Sequence, residues 1–284
     1  MTSPQSVLVP LDGSAHATAA LPVARGFAEL LHATMAVMHV SDDALAPAAL
    51  VERMKLSCED IHGCVVEQRS GAAAAAIVEE AGKRHAAMIV MCPQIRTDLP
   101  SRALGRVAAA VLSTAPCPVV LVPPARGHQS WALHRLLVPH DGTPTSAAAM
   151  GPATDFAAMA SAELTVLHVA TPDIEPPAEA GTLVSPRYVD QPQHEWPAWA
   201  QEFLDRLRAV GGARDAIEIR LAVARGDAGS AILDLARQSD LVVLGWRGAL
   251  EPDRARTMRR VIRDTACPVI VFRLDHTAGQ SHRP

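Results

Sequence analysis

Aromatic residues are nearly missing from this chain of 284 residues: one Tyr, four Phe and four Trp make up 3% of it. Its core must be built mainly from Ala, Val and Leu, small aliphatics that fill the space between sheets and helices. A strong charge imbalance is missing too. Lys and Arg number 26 against 30 Asp and Glu, and the formal charge of −4 gives no electrostatic case for nucleic acid as a partner. No apolar run approaches the roughly 18 residues of a membrane helix. The start, Met1-Thr2-Ser3-Pro4-Gln5, has no basic region, so no signal peptide is expected. Five cysteines, an odd number in a chain of this length, do not form the framework of a small secreted domain, and a cytoplasmic protein is expected. Catalytic signatures are missing as well: no Gly-x-Ser-x-Gly, no Gly-x4-Gly-Lys-Ser/Thr and no His-Glu-x2-His. The expectation is a protein that is not an enzyme and has no metal site.

What the chain does have is a repeat. Val7-Leu8-Val9-Pro10-Leu11-Asp12-Gly13-Ser14 returns as Leu136-Leu137-Val138-Pro139-His140-Asp141-Gly142-Thr143, 129 residues later (141 − 12). Each copy is an uninterrupted aliphatic run stopped by Asp-Gly and followed by an Ala-rich stretch, the pattern of a buried strand, a turn and a helix. The carboxylate then stands at the carboxyl end of the strand, where open parallel sheets place their ligands.

The remaining segments follow in the same order in both halves. In the first, the patterns predict a helix over 15–32, a strand over 35–40 ending in His39-Val40, a helix over 44–57 and a strand over 65–68. Gly71 precedes a helix over 72–84, then come a strand over 87–91, an irregular loop over 92–102, a helix over 104–113 and a strand over 119–122. In the second, His168-Val169 matches His39-Val40, Gly226 matches Gly71, and Ala266-Cys267-Pro268-Val269 matches Pro116-Cys117-Pro118-Val119. That last offset is 150 (267 − 117), so the second copy carries 21 net extra residues (150 − 129). They fall in the Pro-rich stretch 170–197, expected to be an exposed, dispensable loop. The predicted organisation is a first domain over 1–126, a linker over 127–134, a second domain over 135–274 and a disordered tail over 275–284. Each domain is β-α-β-α-β-α-β-α-β, which implies right-handed crossovers and a five-stranded parallel sheet covered by helices. Two fused copies are expected to form a pseudo-two-fold pair within one chain.

These residues resemble the universal stress protein family in its tandem two-domain form. The likeness rests on the Asp-Gly-Ser/Thr after strand one, the His-Val ending strand two, the mid-domain glycine and the Cys-Pro-Val strand, each present twice and in order. The resemblance implies a Rossmann-like fold in each half, with the last strands, 119–122 and 269–272, pairing with each other. It also implies a nucleotide site in each half. The strand-one Asp (Asp12, Asp141) and the Val after His (Val40, Val169) would line the base, and Gly-x2-Gly-x9-Gly-(Ser/Thr) would hold the phosphates. Glycines there let backbone N–H groups at a helix start approach an anion.

Neither half keeps that pattern whole. In the first, the leading glycines fall on Cys92 and Ile95, and Gly105 is followed by Arg106. In the second, Gly245-Trp246-Arg247-Gly248 keeps the leading pair, but the helix start falls on Ala255-Arg256. A non-glycine residue held in a left-handed conformation costs roughly 1–2 kcal/mol, so two such replacements and a lost hydroxyl drive a modest site towards emptiness. The expected protein is therefore a non-catalytic binding or interaction module of the stress response with degenerate nucleotide sites. Two alternatives stand beside it. One is an ATP or AMP sensor using Asp141, Val169, Gly245, Arg247, Gly248 and Arg256, with Asp12, Val40, Gly105 and Arg106 vestigial. The other is a weak nucleotide hydrolase. No cofactor is fixed by the sequence, and an unidentified protein partner or a further homodimer is compatible with it. Arg106 and Arg256 read either as substitute phosphate donors or as solvated helix residues. Asp12 and Asp141 are expected to cap the following helix whether or not they touch a ligand. His39 and His168 read as strand-end residues rather than acid–base groups.

Overall fold

The computed structural model describes residues 5–96, 103–124, 130–170, 182, 192–211, 217–246 and 256–273. The calls on residues 171–191 (Thr182 apart), on Arg247 and Gly248, and on the tail lie outside them. The chain forms two compact units. The first is Met1–Ala132 with Ala249–Arg273, and the second is Leu133–Gly248 with Leu274–Pro284.

In the first unit, β1 (Ser6–Pro10) leads through a 3-10 turn (Ala17–Ala19) into α1 (Ala20–Leu30). Then follow β2 (Thr34–Val40), α2 (Pro47–Arg53), α3 (Cys58–Ile61), β3 (Val65–Arg69), α4 (Ala73–Lys83) and β4 (Met88–Met91). A short antiparallel pair, β5 (Ile95–Arg96) and β6 (Ala103–Leu104), precedes α5 (Arg106–Thr114) and β7 (Val119–Leu121). The helix expected over 44–57 is confined to α2, Pro47–Arg53, and a separate short helix, α3, begins only after Ser57. Lys55 takes a left-handed conformation, and Ser57 starts α3 with a reciprocal capping box to Asp60. The loop expected over 92–102 contains β5, because Ile95 pairs with Leu104, which in turn delays the start of α5 to Arg106.

Parallel pairing runs β3-β2-β1-β4-β7, for example Val9 with Val37 and Val90 with Val120. Val7, Leu8, Val9, Ile89 and Val90 are at most 0% exposed, as uninterrupted aliphatic strands between two helix layers must be. α10 (Arg256–Asp264) and β12 (Val269–Arg273), the last elements of the second repeat, belong to this unit. β12 lies antiparallel to β7, with Val269 opposite Leu121 and Val271 opposite Val119, the pairing expected of the two Cys-Pro-Val strands.

The second unit holds β8 (Arg135–Pro139), α6 (Pro144–Ala147), α7 (Met150–Ala160), β9 (Glu163–Ala170), α8 (Pro192–Gly211), β10 (Ile219–Arg225), α9 (Ala228–Ala236) and β11 (Leu241–Trp246). Its parallel order, β10-β9-β8-β11, repeats that of β3-β2-β1-β4. The fold class is the expected one, tandem Rossmann-like α/β repeats. One expectation is corrected: Pro192–Pro197, assigned to a loop, begins the 20-residue helix α8. Proline is favoured at a helix start because its missing N–H would have no partner there. α8 supplies Trp199, Phe203 and Leu207 to the core, so this end of the insertion is structural.

Candidate functional site

A strand order of 3-2-1-4 reverses direction between its first and fourth strands, and the crevice beyond their carboxyl ends is the place such a sheet offers a ligand. In the first unit that place lies after β1 and β4, where Asp12 and Gln94 meet. Gln94 Nε2 donates to Asp12 Oδ2 at 2.6 Å, while Asp12 Oδ1 accepts the Ser14 N–H at 2.8 Å. Burial raises the Asp12 pKa, but the bonds from Ser14 and Gln94 outweigh it and hold the carboxyl below its ordinary 3.8. The turn beneath requires glycine: Gly13 has φ +82°, and a Cβ there would lie 2.7 Å from the carbonyl oxygen of Arg53.

Gln94 also fixes the other end of the site. Its carbonyl accepts the Gly105 N–H at 2.8 Å, and a Cβ on Gly105 would stand 2.9 Å from the same oxygen. Gly105 has φ −57°, which any residue adopts, so its glycine serves this close approach. The N–H that would otherwise point towards an anion is already given to Gln94. Arg106 follows as the first residue of α5 and is exposed. Val40 ends β2 half-buried.

In the second unit Asp141 is turned towards its own loop. Its Oδ1 accepts the Thr143 N–H at 3.0 Å, the Thr143 hydroxyl at 2.6 Å and the Ser146 hydroxyl at 2.7 Å. Burial again pulls the carboxyl up, and these bonds together with His140 bring it below 3.8. The helix cap is Thr143, whose Oγ1 accepts the Ser146 N–H, so neither Asp caps a helix as expected; each closes a local turn instead. Gly245 sits in β11, and a Cβ there would lie 2.8 Å from the Thr145 carbonyl oxygen. Its glycine lets β11 pass α6. Val169 lies half-buried near the end of β9, beside Ala224 of β10. Arg256 starts α10, exposed, and belongs to the first unit.

The strand-end histidines hold backbone. His39 Nδ1 lies 2.7 Å from the Leu11 carbonyl and His168 Nδ1 lies 3.0 Å from that of His140, the same bond in each repeat. Burial pushes the Cys92 thiol up to about 12 and the Cys117 thiol to about 11, which disfavours the reactive thiolate at these two positions. Among the described residues, no group of three or more His, Cys, Asp or Glu is placed to hold a metal, and no helix is long and apolar enough to cross a membrane. Sequence reasoning missed Gln94, Ser146 and the aromatic face of α8. Gln94 stands in the loop where the glycine pattern fails, and that failure was the one available signal.

Two Rossmann-like units in series, each with a carboxylate beyond its first strand, define a tandem α/β protein. The universal stress protein family model matches residues 53–123 and 132–273, and the chain belongs to this family. Among solved structures, it is similar to a universal stress protein from Archaeoglobus fulgidus DSM 4304 at 19% identity and a TM-score of 0.63, over 96% of this chain and 99% of the other. It is also similar to a functionally unknown protein from Pseudomonas aeruginosa PAO1, at 19% identity and a TM-score of 0.64, over 96% and 94% of the two chains. These likenesses concern the fold. No curated protein matches the sequence.

Proposed function

We propose that this chain is a non-catalytic, cytoplasmic interaction module of the stress response, whose two nucleotide sites have been converted to internal structure. The observation that carries this reading is the bond from Gln94 to Asp12. The group that would meet a base is already paired with a side chain of the same unit, and the same Gln94 holds the Gly105 N–H through its carbonyl. Gly245, the other described glycine of the pattern, has its open side against Thr145. A ligand entering the first site must displace Gln94 and find its own phosphate donors, because the Ser/Thr hydroxyl of the pattern is replaced by Arg106.

The test is nucleotide content. Protein purified without added nucleotide is denatured in acid, and the extract is separated by anion-exchange chromatography. The proposal expects well under one nucleotide per chain. A stoichiometric yield of ATP or AMP overturns it in favour of a sensor.

A further inference from the structure

The two repeats differ most at one point. Where the first has Leu11 before its Asp, the second has His140, and where the first has the seven-residue α2, the second has the 20-residue α8. These two differences meet. His140 and His168 are each 4% exposed, and the ring of Phe203 on α8 packs on both, 5.1 Å from His140 and 5.2 Å from His168. Trp199, one turn earlier, lies 4.8 Å from the His168 ring. α8 also packs on α6, the helix that follows Asp141, so it stands against the carboxyl end of β8 and β9.

The hydrogen bonds fix the proton on each ring. His140 Nδ1 accepts the Gly142 N–H at 2.9 Å and lies 3.1 Å from the Ser146 hydroxyl, whose proton goes to Asp141, so its own proton is on Nε2. His168 Nδ1 faces the His140 carbonyl and must donate, so its Nε2 carries a lone pair. Among the described residues, neither Nε2 meets a hydrogen-bond partner. Both imidazoles are therefore held neutral, and each has a specific reason to resist a second proton. Protonating His140 at Nδ1 sets two N–H groups against each other at Gly142 and leaves only the Ser146 oxygen, 3.1 Å away, to accept the new proton. Protonating His168 at Nε2 places an unpaired charge inside an apolar contact.

We propose that His140 and His168 form an acid-sensitive clasp that holds α8 against the Asp141 end of the second unit, and that protonation of the pair releases α8. The surrounding charges support this direction. Among the described side chains, the charged groups on β8, β9, β10, α7 and α8 are Arg135, Glu163, Arg220, Arg225, Asp155, Glu202, Asp205, Arg206 and Arg208, and Asp141 stands in the loop after β8. Only Asp141 acts on both imidazoles, and its Oδ1 is already shared by Thr143 and Ser146. One carboxylate facing two imidazolium ions leaves a net positive charge. Burial lowers both pKa values, that of His140 to about 4. The release therefore falls in acid, below the ordinary 6.5.

Hydrogen–deuterium exchange of the full chain between pH 7.5 and 4.5, corrected for intrinsic exchange, tests the clasp. Peptides from α8 are expected to lose at least tenfold protection as the pH falls, while peptides from β8 and β11 keep theirs. In the His140→Asn/His168→Asn double variant, whose amides can replace the Nδ1 bonds but do not titrate, α8 protection should be flat with pH. Constant α8 protection in the wild type, loss only together with the strands, or an unchanged profile in the double variant overturns the proposal. If the double variant does not fold, the wild-type comparison of α8 with β8 and β11 decides alone.

Discussion

Gln94 and Asp12, 82 positions apart in the chain, are joined by a 2.6 Å hydrogen bond at the point where the first sheet reverses its strand order. On the proposed function, this bond stands where an external ligand would otherwise meet Asp12. Because the pair is exposed, water can substitute for either partner, so the contact directs the side chains more than it stabilises the fold.

Gln94→Ala should therefore cost little, within about 1 kcal/mol of unfolding free energy. The Asp12 carboxyl should at the same time titrate closer to its ordinary 3.8, because one of the bonds holding it down is gone. Side-chain carbon NMR of Asp12 across the acid range reads this directly, and an unchanged titration would show that Gln94 does not engage it in solution.

Gly245→Ala tests what that glycine is for. A methyl group 2.8 Å from the Thr145 carbonyl forces β11 and α6 apart, and overpacking of this kind costs about 1–3 kcal/mol. The expected result is a lower midpoint in chemical denaturation. Unchanged stability would mean that the glycine serves an external ligand.

Phe203→Ala should destabilise the second unit by about 3–5 kcal/mol, the usual cost of removing a buried Phe. The ring is 1% exposed and lies against two imidazoles and Trp199. A shift below about 1 kcal/mol in denaturant unfolding would place α8 outside the core.

Stability should also fall with acid. For His140 the unfolded chain takes a proton near the ordinary 6.5 and the folded chain only near about 4. Between those values the unfolded state binds more protons, so stability rises with pH and is lost as pH falls through that window. The difference corresponds to on the order of 3 kcal/mol. Asp141 adds to the loss further down, since its lowered pKa contributes stability above 3.8 that disappears as the carboxyl protonates. Denaturant titrations at pH 7.5, 5.5 and 4.5 should give a falling series, and His140→Asn should make it less steep, the remaining slope coming from His168.

The fold was legible because its signals are local. Val7–Val9 and Leu136–Val138 read as buried strands from three aliphatic residues each, and the Asp-Gly turns stop them visibly. α8 was missed because it begins at Pro192, inside the segment with no counterpart in the first repeat, so the repeat gave no template for it. The site was half legible. The glycine pattern drew attention to the loop after β4, but what that loop contacts there, Gln94 with Asp12, is a relationship no local pattern encodes. The purpose of Gly105 and Gly245 was hidden for the same reason: a retained glycine looks alike whether its neighbour is a ligand or the Gln94 or Thr145 carbonyl.

The central claim is that the sites are filled from within. Isothermal titration of ATP and of AMP into nucleotide-free protein at low salt tests it most directly, since screening is then weakest and any arginine-held phosphate most favoured. The account predicts no saturable binding below millimolar concentration. Stoichiometric binding at micromolar concentration, weakened by Arg106→Ala or by Gly248→Val, would contradict it and identify the half that binds.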